Sequence, residues 1–170
     1  QASAKVAESN RFSIIDTYLM ATAYSDTVGR NGPVCIYSNG TTCIGAIKRL
    51  WIDENGLFSH PASSHAVTNT CIKDIQSIKG RKFVERIAWK KAGKQLPKAE
   101  CIASRRAEAR VNERIDERAD KALAEANEKF QQKIRRPLVE RKLFPEDVKF
   151  TSGEQSMHVR SMQSGTSLIA

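Results

Sequence analysis

A run of thirty-nine residues without glycine or proline, Lys98 to Arg136, constrains the fold of this chain more than any other feature. Alanine, glutamate, arginine and lysine, which are strong helix formers, dominate the run. Pro97 suits the first turn of a helix, where its missing N–H costs nothing, and Pro137 disfavours helical geometry at the residue before it. The sequence therefore predicts one long α-helix over 97–136.

The apolar residues of this run lie on one face of the predicted helix. Several pairs recur eleven residues apart, a spacing that keeps a stripe nearly straight along a helix. The first half of the stripe is rich in alanine, so a packing partner must approach closely there. The members are Ala103, Ala107, Val111, Ile115, Ala119, Ala122, Leu123, Ala126, Phe130 and Ile134.

Residues 12–53 have the composition of strands, because β-branched and aromatic residues are frequent in them. Three turn signals punctuate this segment: Asn31-Gly32, Asn39-Gly40 and Glu54-Asn55-Gly56. Strands joined by such tight turns form an antiparallel meander. The segment 12–53 therefore predicts a β meander.

The remaining segments complete an α+β fold. Residues 1–10 are predicted to be a polar lead-in, and His65 to Ile78 an extended strand. Lys82 to Lys91 is predicted to be a short basic helix that ends at Ala92-Gly93. Short strands are expected over 146–170, the last of them at Leu168 and Ile169.

Together these elements predict an antiparallel β meander packed against one long α-helix, with short C-terminal strands. A chain of 170 residues is long enough to bury a core, and one domain over 1–170 is the expectation. No run of eighteen apolar residues occurs, so no transmembrane helix is expected.

The positive charge of the chain is concentrated before the predicted long helix. The net charge is +9, and Lys73 to Lys98 holds nine lysines or arginines against only Asp74 and Glu85. Such a segment forms a soluble basic surface, or a contact with anionic lipid or nucleic acid. Nucleic acid is disfavoured, because stacking sites need aromatic residues among the basic ones and only Phe83 and Trp89 are available.

Several short phrases of the chain resemble uncharacterised secreted proteins of planctomycete bacteria. The phrases are Val28-Gly29-Arg30-Asn31-Gly32-Pro33-Val34, Ile36-Tyr37-Ser38, Lys48-Arg49-Leu50, Arg86-Ile87-Ala88-Trp89 and Phe144-Pro145. The likeness spans roughly residues 20–165. It implies export to the periplasm or the extracellular space, and it implies no reaction. Because such proteins are longer, we expect the chain to be the C-terminal part of a longer protein.

Four cysteines allow two disulfides in an exported chain: Cys35, Cys43, Cys71 and Cys101. No C-x-x-C spacing occurs, so no metal site is expected. A two-residue turn at Asn39-Gly40 would put Cys35 and Cys43 on opposite sheet faces, whereas a three-residue turn would pair them directly. We predict the three-residue turn and a Cys35–Cys43 disulfide, since export favours oxidation. The pairing of the other two cysteines stays open.

The sequence contains no motif that predicts catalysis or cofactor binding. Serine, histidine and aspartate occur, but G-x-S-x-G and a pair of carboxylates at fixed spacing do not. We therefore expect no enzymatic activity, no catalytic residues and no cofactor. A hydrolase is the weakest hypothesis, and a perturbed histidine beside a serine in a cleft would favour it.

The preferred hypothesis is a non-enzymatic structural or interaction protein of the bacterial envelope or extracellular space. It requires a rigid sheet and helix, with a protein partner or a second copy binding through the long helix. The alternative is a lipid-binding module with an apolar groove between the sheet and Val111 to Ile134 of the long helix. In that alternative Lys90, Lys91 and Lys94 contact anionic head groups. An apolar cavity between helix and sheet would favour the alternative.

Overall fold

The computed structural model describes residues 1–162, and it has the α+β fold that the sequence predicts. An antiparallel sheet packs with one long helix, and two short strands follow at the C-terminal side. The elements are β1 (Ala2–Ala7), β2 (Ser13–Asn31), β3 (Val34–Asp53), β4 (Gly56–Ser59), β5 (Ser63–Ser77), α1 (Lys82–Phe130), a π-helical segment (Gln131–Arg135), α2 (Arg136–Glu140), β6 (Asp147–Ser152) and β7 (Met157–Met162).

The long strand β3 is the centre of the five-stranded sheet. It pairs with β2 on one side and with β4 and β5 on the other, while β1 pairs with the far side of β2. The β2–β3 turn lies at Gly32-Pro33, next to the predicted Asn31-Gly32 signal, and Gly32 adopts the left-handed φ of 58° that such a turn requires. The β3–β4 hairpin closes where Asp53 pairs with Gly56, which confirms the third turn signal.

The contacts of the chain fall into two compact units. One comprises Gln1, Leu19–Ala46 and Ser63–Asn112, and its buried residues are Val34, Ala46, Ala66, Thr68 and Ile75. The other comprises Ala2–Tyr18, Ile47–Ala62 and the residues from Glu113 onward, and its buried residues are Ser13, Asp16, Lys48, Ala62 and Ser152. The buried residues of the first unit are apolar except Thr68, whereas those of the second unit are polar or charged except Ala62. The expectation of one domain over 1–170 stays a prediction.

The long helix begins fifteen residues earlier than the sequence predicts. It starts at Lys82 and absorbs the predicted short helix, so Ala92-Gly93 does not break it and Pro97 lies inside it. Proline removes one intrahelical hydrogen bond and crowds the preceding turn. Side chains on both sides of Pro97 bind β5, since Glu85 accepts the Ser77 N–H at 2.9 Å and Glu100 accepts the Thr70 N–H at 2.6 Å. The prediction that Pro137 ends the helical run is wrong, because Pro137 lies in the first turn of α2, where its missing N–H costs nothing, and α2 continues to Glu140.

In the first unit, polar side chains of α1 cover the outer edge of β5. The backbone N–H groups of Thr70, Thr68 and Ala66 donate to three helix side chains in turn. The acceptors are Glu100 Oε1 at 2.6 Å, Ser104 Oγ at 3.0 Å and Glu108 Oε1 at 2.8 Å. The spacing matches, because four helix residues rise about 6 Å and two strand residues about 6.6 Å. The helix thus closes an edge that would otherwise be open to another strand.

In the second unit, α1 makes the same kind of contact with different side chains. Asp116 accepts the Ala62 N–H at 2.8 Å. The Asn127 amide exchanges two hydrogen bonds of 2.8 Å with the backbone of Leu57. Most of the apolar residues in the predicted stripe of α1 are half-buried, and none is fully buried. Hydrogen bonds between helix side chains and the backbone of other segments therefore accompany apolar packing along this helix.

The turn predicted at Asn39-Gly40 is wrong, because β3 runs through both residues without interruption. Gly40 serves close packing instead of a turn. A Cβ atom at position 40 would lie only 2.8 Å from Ser25 Oγ, so the neighbouring strand leaves no room for a side chain.

Two smaller predictions also change. Residues 1–10 are not a loose lead-in, since Ala2–Ala7 forms the edge strand β1. The predicted short C-terminal strands are present as β6 and β7, an antiparallel pair with Phe150 opposite Val159. The strand predicted at Leu168 and Ile169 lies outside the described residues.

Candidate functional site

An apolar cavity of about 260 Å³ lies in the first unit, between the β2–β3 turn and the first turns of α1. Its walls come from the strand ends on one side and from three helical turns on the other. The groove hypothesised from the sequence lies over Val111 to Ile134, whereas this cavity lies at the start of α1, outside that range. The lining residues are Asn31, Gly32, Pro33, Val34, Ile36, Phe83, Val84, Ile87, Ala88, Lys91, Ala92 and Gln95.

Two backbone contacts hold the helix start beside the hairpin end. The Ile78 N–H donates to the Pro33 carbonyl at 2.9 Å, which ties the chain after β5 to the β2–β3 turn. The Ser77 N–H donates to Glu85 Oε1 at 2.9 Å, which ties the same segment to the first turn of α1. Gly80, with a left-handed φ of 65°, reverses the chain between them. The short segment between β5 and α1 therefore holds both walls of the cavity, the β2–β3 turn and the first turn of α1, in place.

The cavity is apolar within and open at its mouth. Val34 is buried at its base, and Val84 and Ala88 are half-buried on the helix side. Phe83 and Ile87 are one helical turn apart and remain 75% and 53% exposed. Large apolar side chains so exposed beside a cavity are typical of a binding surface. The interior of the cavity and its mouth are therefore both suited to bind an apolar part of a ligand.

The helix side of the cavity belongs to the basic segment Lys73 to Lys98, of which Lys91 contributes to the lining. Nine lysines and arginines lie in Lys73 to Lys98, all of them exposed, and none forms an ion pair within residues 1–162. The two acids of the segment are engaged elsewhere, because Glu85 accepts the Ser77 N–H and Asp74 accepts from Ile75 and Gln76. The charge of the basic segment is therefore free to attract anions.

The predicted anionic-surface residues are partly brought to the cavity. Lys91 contributes to the lining, whereas Lys90 and Lys94 are exposed on the same stretch of α1 without lining it. Their contact with an anionic surface stays a prediction. Sequence reasoning missed Phe83 and the β2–β3 turn as parts of this site. The available signal was the i, i+4, i+8 series of Phe83, Ile87 and Lys91 after a hairpin turn.

The predicted Cys35–Cys43 disulfide is wrong. All four cysteines lie in the described part of the chain, and all are free. Cys35 and Cys43 stand eight residues apart on the continuous strand β3, a separation of about 26 Å at strand rise. A disulfide requires Cα atoms within about 7 Å. The error follows from the wrong turn at Asn39-Gly40.

A serine and a histidine meet at the start of β7, where His158 Nε2 lies 2.9 Å from Ser156 Oγ and both residues are exposed. No ion pair of His158 with a carboxylate occurs within residues 1–162, whereas His65 Nδ1 lies 3.5 Å from Glu108 Oε1. No cluster of three metal-ligating side chains occurs among the described residues either.

Two ion pairs in the second unit are structural. Lys48 Nζ lies 2.6 Å from Asp116 Oδ1, and Arg49 holds both carboxylate oxygens of Asp16 at 2.7 Å. The hydrogen bonds from Arg49 lower the pKa of Asp16 despite its burial. Burial works to raise the pKa of Asp116, but the bonds from Lys48 and Ala62 together outweigh it and the pKa is lowered. Both carboxylates are therefore ionised and committed to partners.

Comparison with protein-family models, with curated proteins and with solved structures finds no significant match. In the described part of the chain, no helix combines the length and the hydrophobicity that crossing a bilayer requires. The export implied by the resemblance to secreted bacterial proteins stays a prediction. The features that bear on function are therefore the apolar cavity and the lysines of α1 at and near it.

Proposed function

We propose that this protein is a non-enzymatic module that binds anionic amphiphiles, that is, molecules with an apolar chain and a negatively charged head group. The observation that carries the proposal is the apolar cavity between the β2–β3 turn and α1, with Lys91 in its lining. Single acyl chains and membrane lipids share the required chemistry.

The size and the apolar lining of the cavity suit an acyl chain. The cavity volume of about 260 Å³ is just below the range of about 300–1,000 Å³ for small-molecule sites. Its mouth is open, and Phe83 and Ile87 extend the apolar surface beyond it. An acyl chain that enters the cavity removes this surface from water, which is favourable at about 25 cal/mol per Å².

Three lysines of the basic segment can attract the negatively charged head group. Lys91 reaches the cavity, and Lys90 and Lys94 are exposed on the same stretch of α1. Each lysine near an anionic membrane surface contributes about 1 kcal/mol to binding. Three of them are therefore worth about a hundredfold in affinity. An anionic head group at the cavity mouth would use this attraction while its chain fills the cavity.

Vesicle flotation tests the proposal directly. Vesicles with an anionic lipid should carry the protein in a salt-sensitive manner, and neutral vesicles should carry much less. The triple variant Lys90→Gln, Lys91→Gln and Lys94→Gln should reduce binding to anionic vesicles by about a hundredfold. A matched control neutralises the exposed lysines Lys121, Lys129 and Lys133 of the later helix segments, and it should retain most of the binding.

A second variant separates cavity binding from adsorption to a charged surface. Ala88→Trp adds a large side chain to the cavity lining and leaves every lysine in place. It should abolish binding of a soluble single-chain probe such as dodecyl phosphate, measured by calorimetry. Equal flotation with neutral and anionic vesicles, together with no dodecyl phosphate binding by the parent protein, would contradict the proposal.

An interaction protein of the envelope is the second proposal, with a partner protein or a second copy binding along the long helix. The observation that favours it is the exposure of α1, because none of its 49 residues is fully buried. Crosslinking at exposed positions of α1 in the purified protein would test self-association. A helix surface that stays unlinked at high protein concentration would contradict self-association through α1.

A further inference from the structure

The end of the first unit that carries the connection between β5 and α1 exposes three large apolar side chains. Ile78 lies in this connection and is 48% exposed, and Phe83 and Ile87 in the first two turns of α1 are more exposed still. The Ile78 N–H donates to the Pro33 carbonyl, and Pro33 lines the cavity together with Phe83 and Ile87. The three residues therefore lie around the cavity mouth, and exposed apolar groups in one place mark an interaction surface.

Local hydrogen bonds fix the backbone that presents these side chains. The Gly80 N–H donates to the Ser77 carbonyl at 3.0 Å, which closes a turn between β5 and α1. The Val84 N–H donates to the Arg81 carbonyl at 3.0 Å, which begins the helix. A partner that buries the apolar side chains on this backbone therefore has little chain to order on binding.

Basic side chains lie among the apolar ones. They are Lys79, Arg81, Lys82 and Arg86, all exposed and all without an ion pair within residues 1–162. The one acid between Ile78 and Ile87 is Glu85, which accepts the Ser77 N–H. This positive charge does not stabilise α1, because the start of a helix is the positive end of its dipole. It is complementary to an anionic surface instead.

An anionic bilayer matches this end of the unit better than an acidic protein does. Apolar side chains flanked by basic ones are typical of segments that lie at the boundary between head groups and acyl chains. The bilayer also supplies acyl chains for the cavity beside the patch. An acidic protein would account for the charge and leave both the exposed apolar side chains and the cavity without a partner.

We propose that the first unit docks on an anionic bilayer with Ile78 and Phe83 inserted at the head-group boundary, and that the cavity takes its acyl chain from that bilayer. The inference rests on the proposed function, since the cavity must bind an amphiphile. It adds the source of the ligand and the residues that reach it. Phe83 both lines the cavity and faces outward, so an acyl chain can enter along its ring without crossing water.

Variants outside the cavity lining separate docking from cavity binding. Ile78→Ser should weaken flotation with anionic vesicles about tenfold, because less apolar surface is inserted. The triple variant Lys79→Gln, Arg81→Gln and Lys82→Gln should weaken it about a hundredfold. Both should bind soluble dodecyl phosphate within about threefold of the parent, since the lining is intact. The triple variant should also keep its unfolding transition, because the charges that it removes oppose the helix dipole.

A matched control and a direct probe complete the design. Val139→Ser changes an exposed apolar residue of α2 and should leave flotation unchanged. Ile78→Trp reports insertion, measured as the difference from the parent, which contains Trp51 and Trp89. Its additional fluorescence should shift to shorter wavelength with anionic vesicles and should be quenched by lipids with brominated acyl chains.

The outcomes distinguish a failure of docking from a failure of the proposed function. Dodecyl phosphate binding by a parent that ignores anionic vesicles would overturn docking and leave the proposed function standing. Vesicle binding that weakens in the triple lysine and arginine variant but not in Ile78→Ser would also overturn insertion, since charge alone would carry it. Equal flotation with neutral and anionic vesicles, together with no dodecyl phosphate binding, would overturn the proposed function and this inference with it.

Discussion

The Lys48 ammonium is bound by Asp116 at 2.6 Å, and the same carboxylate oxygen accepts the Ala62 N–H at 2.8 Å. The side chain of Lys48 is only 6% exposed, whereas that of Asp116 is 31% exposed. The Asp116 carboxylate therefore neutralises a buried cation, and its Oδ1 atom also satisfies the N–H of Ala62. The pair joins α1 to β3 and to Ala62 through a single group.

Asp116→Asn should destabilise the protein by about 3 kcal/mol, because it leaves the Lys48 charge buried without a counter-ion. The double variant Lys48→Met and Asp116→Asn should recover most of that loss, since no buried charge remains. Urea unfolding measures both values. Asp120→Asn, an exposed change on the same helix, should stay within about 0.5 kcal/mol of the parent. A double variant as unstable as the single one would contradict the buried-charge argument.

The stability of the protein should fall in acid. The pKa values of Asp16 and Asp116 are lowered in the folded state from an ordinary value of 3.8. A lowered folded pKa gives stability that is full above the unfolded value and is lost as pH falls through the folded one. Urea unfolding should therefore give a constant free energy above about pH 5 and a declining one below about pH 4.

The matched variant for the acid effect is Asp16→Asn. It removes one titrating carboxylate, so its unfolding free energy should depend less steeply on pH below about 4, at a lower overall value. A slope equal to that of the parent would show that the Arg49 pair contributes nothing to acid sensitivity.

The helix-to-strand bonds predict a local effect on hydrogen exchange. Ser104→Ala leaves the N–H of Thr68 buried without its acceptor, at a cost of about 1–3 kcal/mol. The Thr68 amide should exchange faster than in the parent, and the free energy of unfolding should fall. Ser63→Ala, an exposed change at the start of β5, is the control. Unchanged protection of Thr68 in the Ser104 variant would show that the bond does not form in solution.

Replacement by alanine should change the stability of the protein in opposite directions at two glycines. Gly93 lies inside α1, and a Cβ added there meets nothing within 4 Å, so Gly93→Ala should stabilise by about 1 kcal/mol. Gly56 has a φ of 146°, and its added Cβ would lie 2.5 Å from Asn127 Oδ1, so Gly56→Ala should destabilise. Thermal unfolding of the two variants compares them. Destabilisation by Gly93→Ala would indicate that α1 is interrupted at that point.

The fold class was predictable because it depends on periodic signals. The long run of helix formers and the turn signals at Asn31-Gly32 and Glu54-Asn55-Gly56 each act locally, and each is found in the structure. The errors concern residues whose role is set by a distant partner. A side chain at Gly40 would meet Ser25 on the neighbouring strand, and the helix that contains Pro97 binds β5 through Glu85 and Glu100 on either side of the proline. No local pattern contains that information.

The cavity could be predicted only in part. The sequence shows a basic segment with apolar residues around Lys91. The other wall of the cavity, the β2–β3 turn, lies some fifty residues earlier in the chain. The polar row of Glu100, Ser104 and Glu108 was also visible as an i, i+4 series. It resembles an ordinary solvated face, because sequence cannot show that strand N–H groups lie opposite it.

The contact between α1 and β5 couples the lengths of two segments. One inserted residue between Glu100 and Glu108 would rotate every later side chain by about 100° and disconnect it from the strand. One inserted residue between Ala66 and Thr70 would turn the acceptor-seeking N–H groups inward. Only insertions or deletions of about four helix residues together with two strand residues preserve the match. Length variation between related chains should therefore be concentrated in the loops and be rare in these two segments.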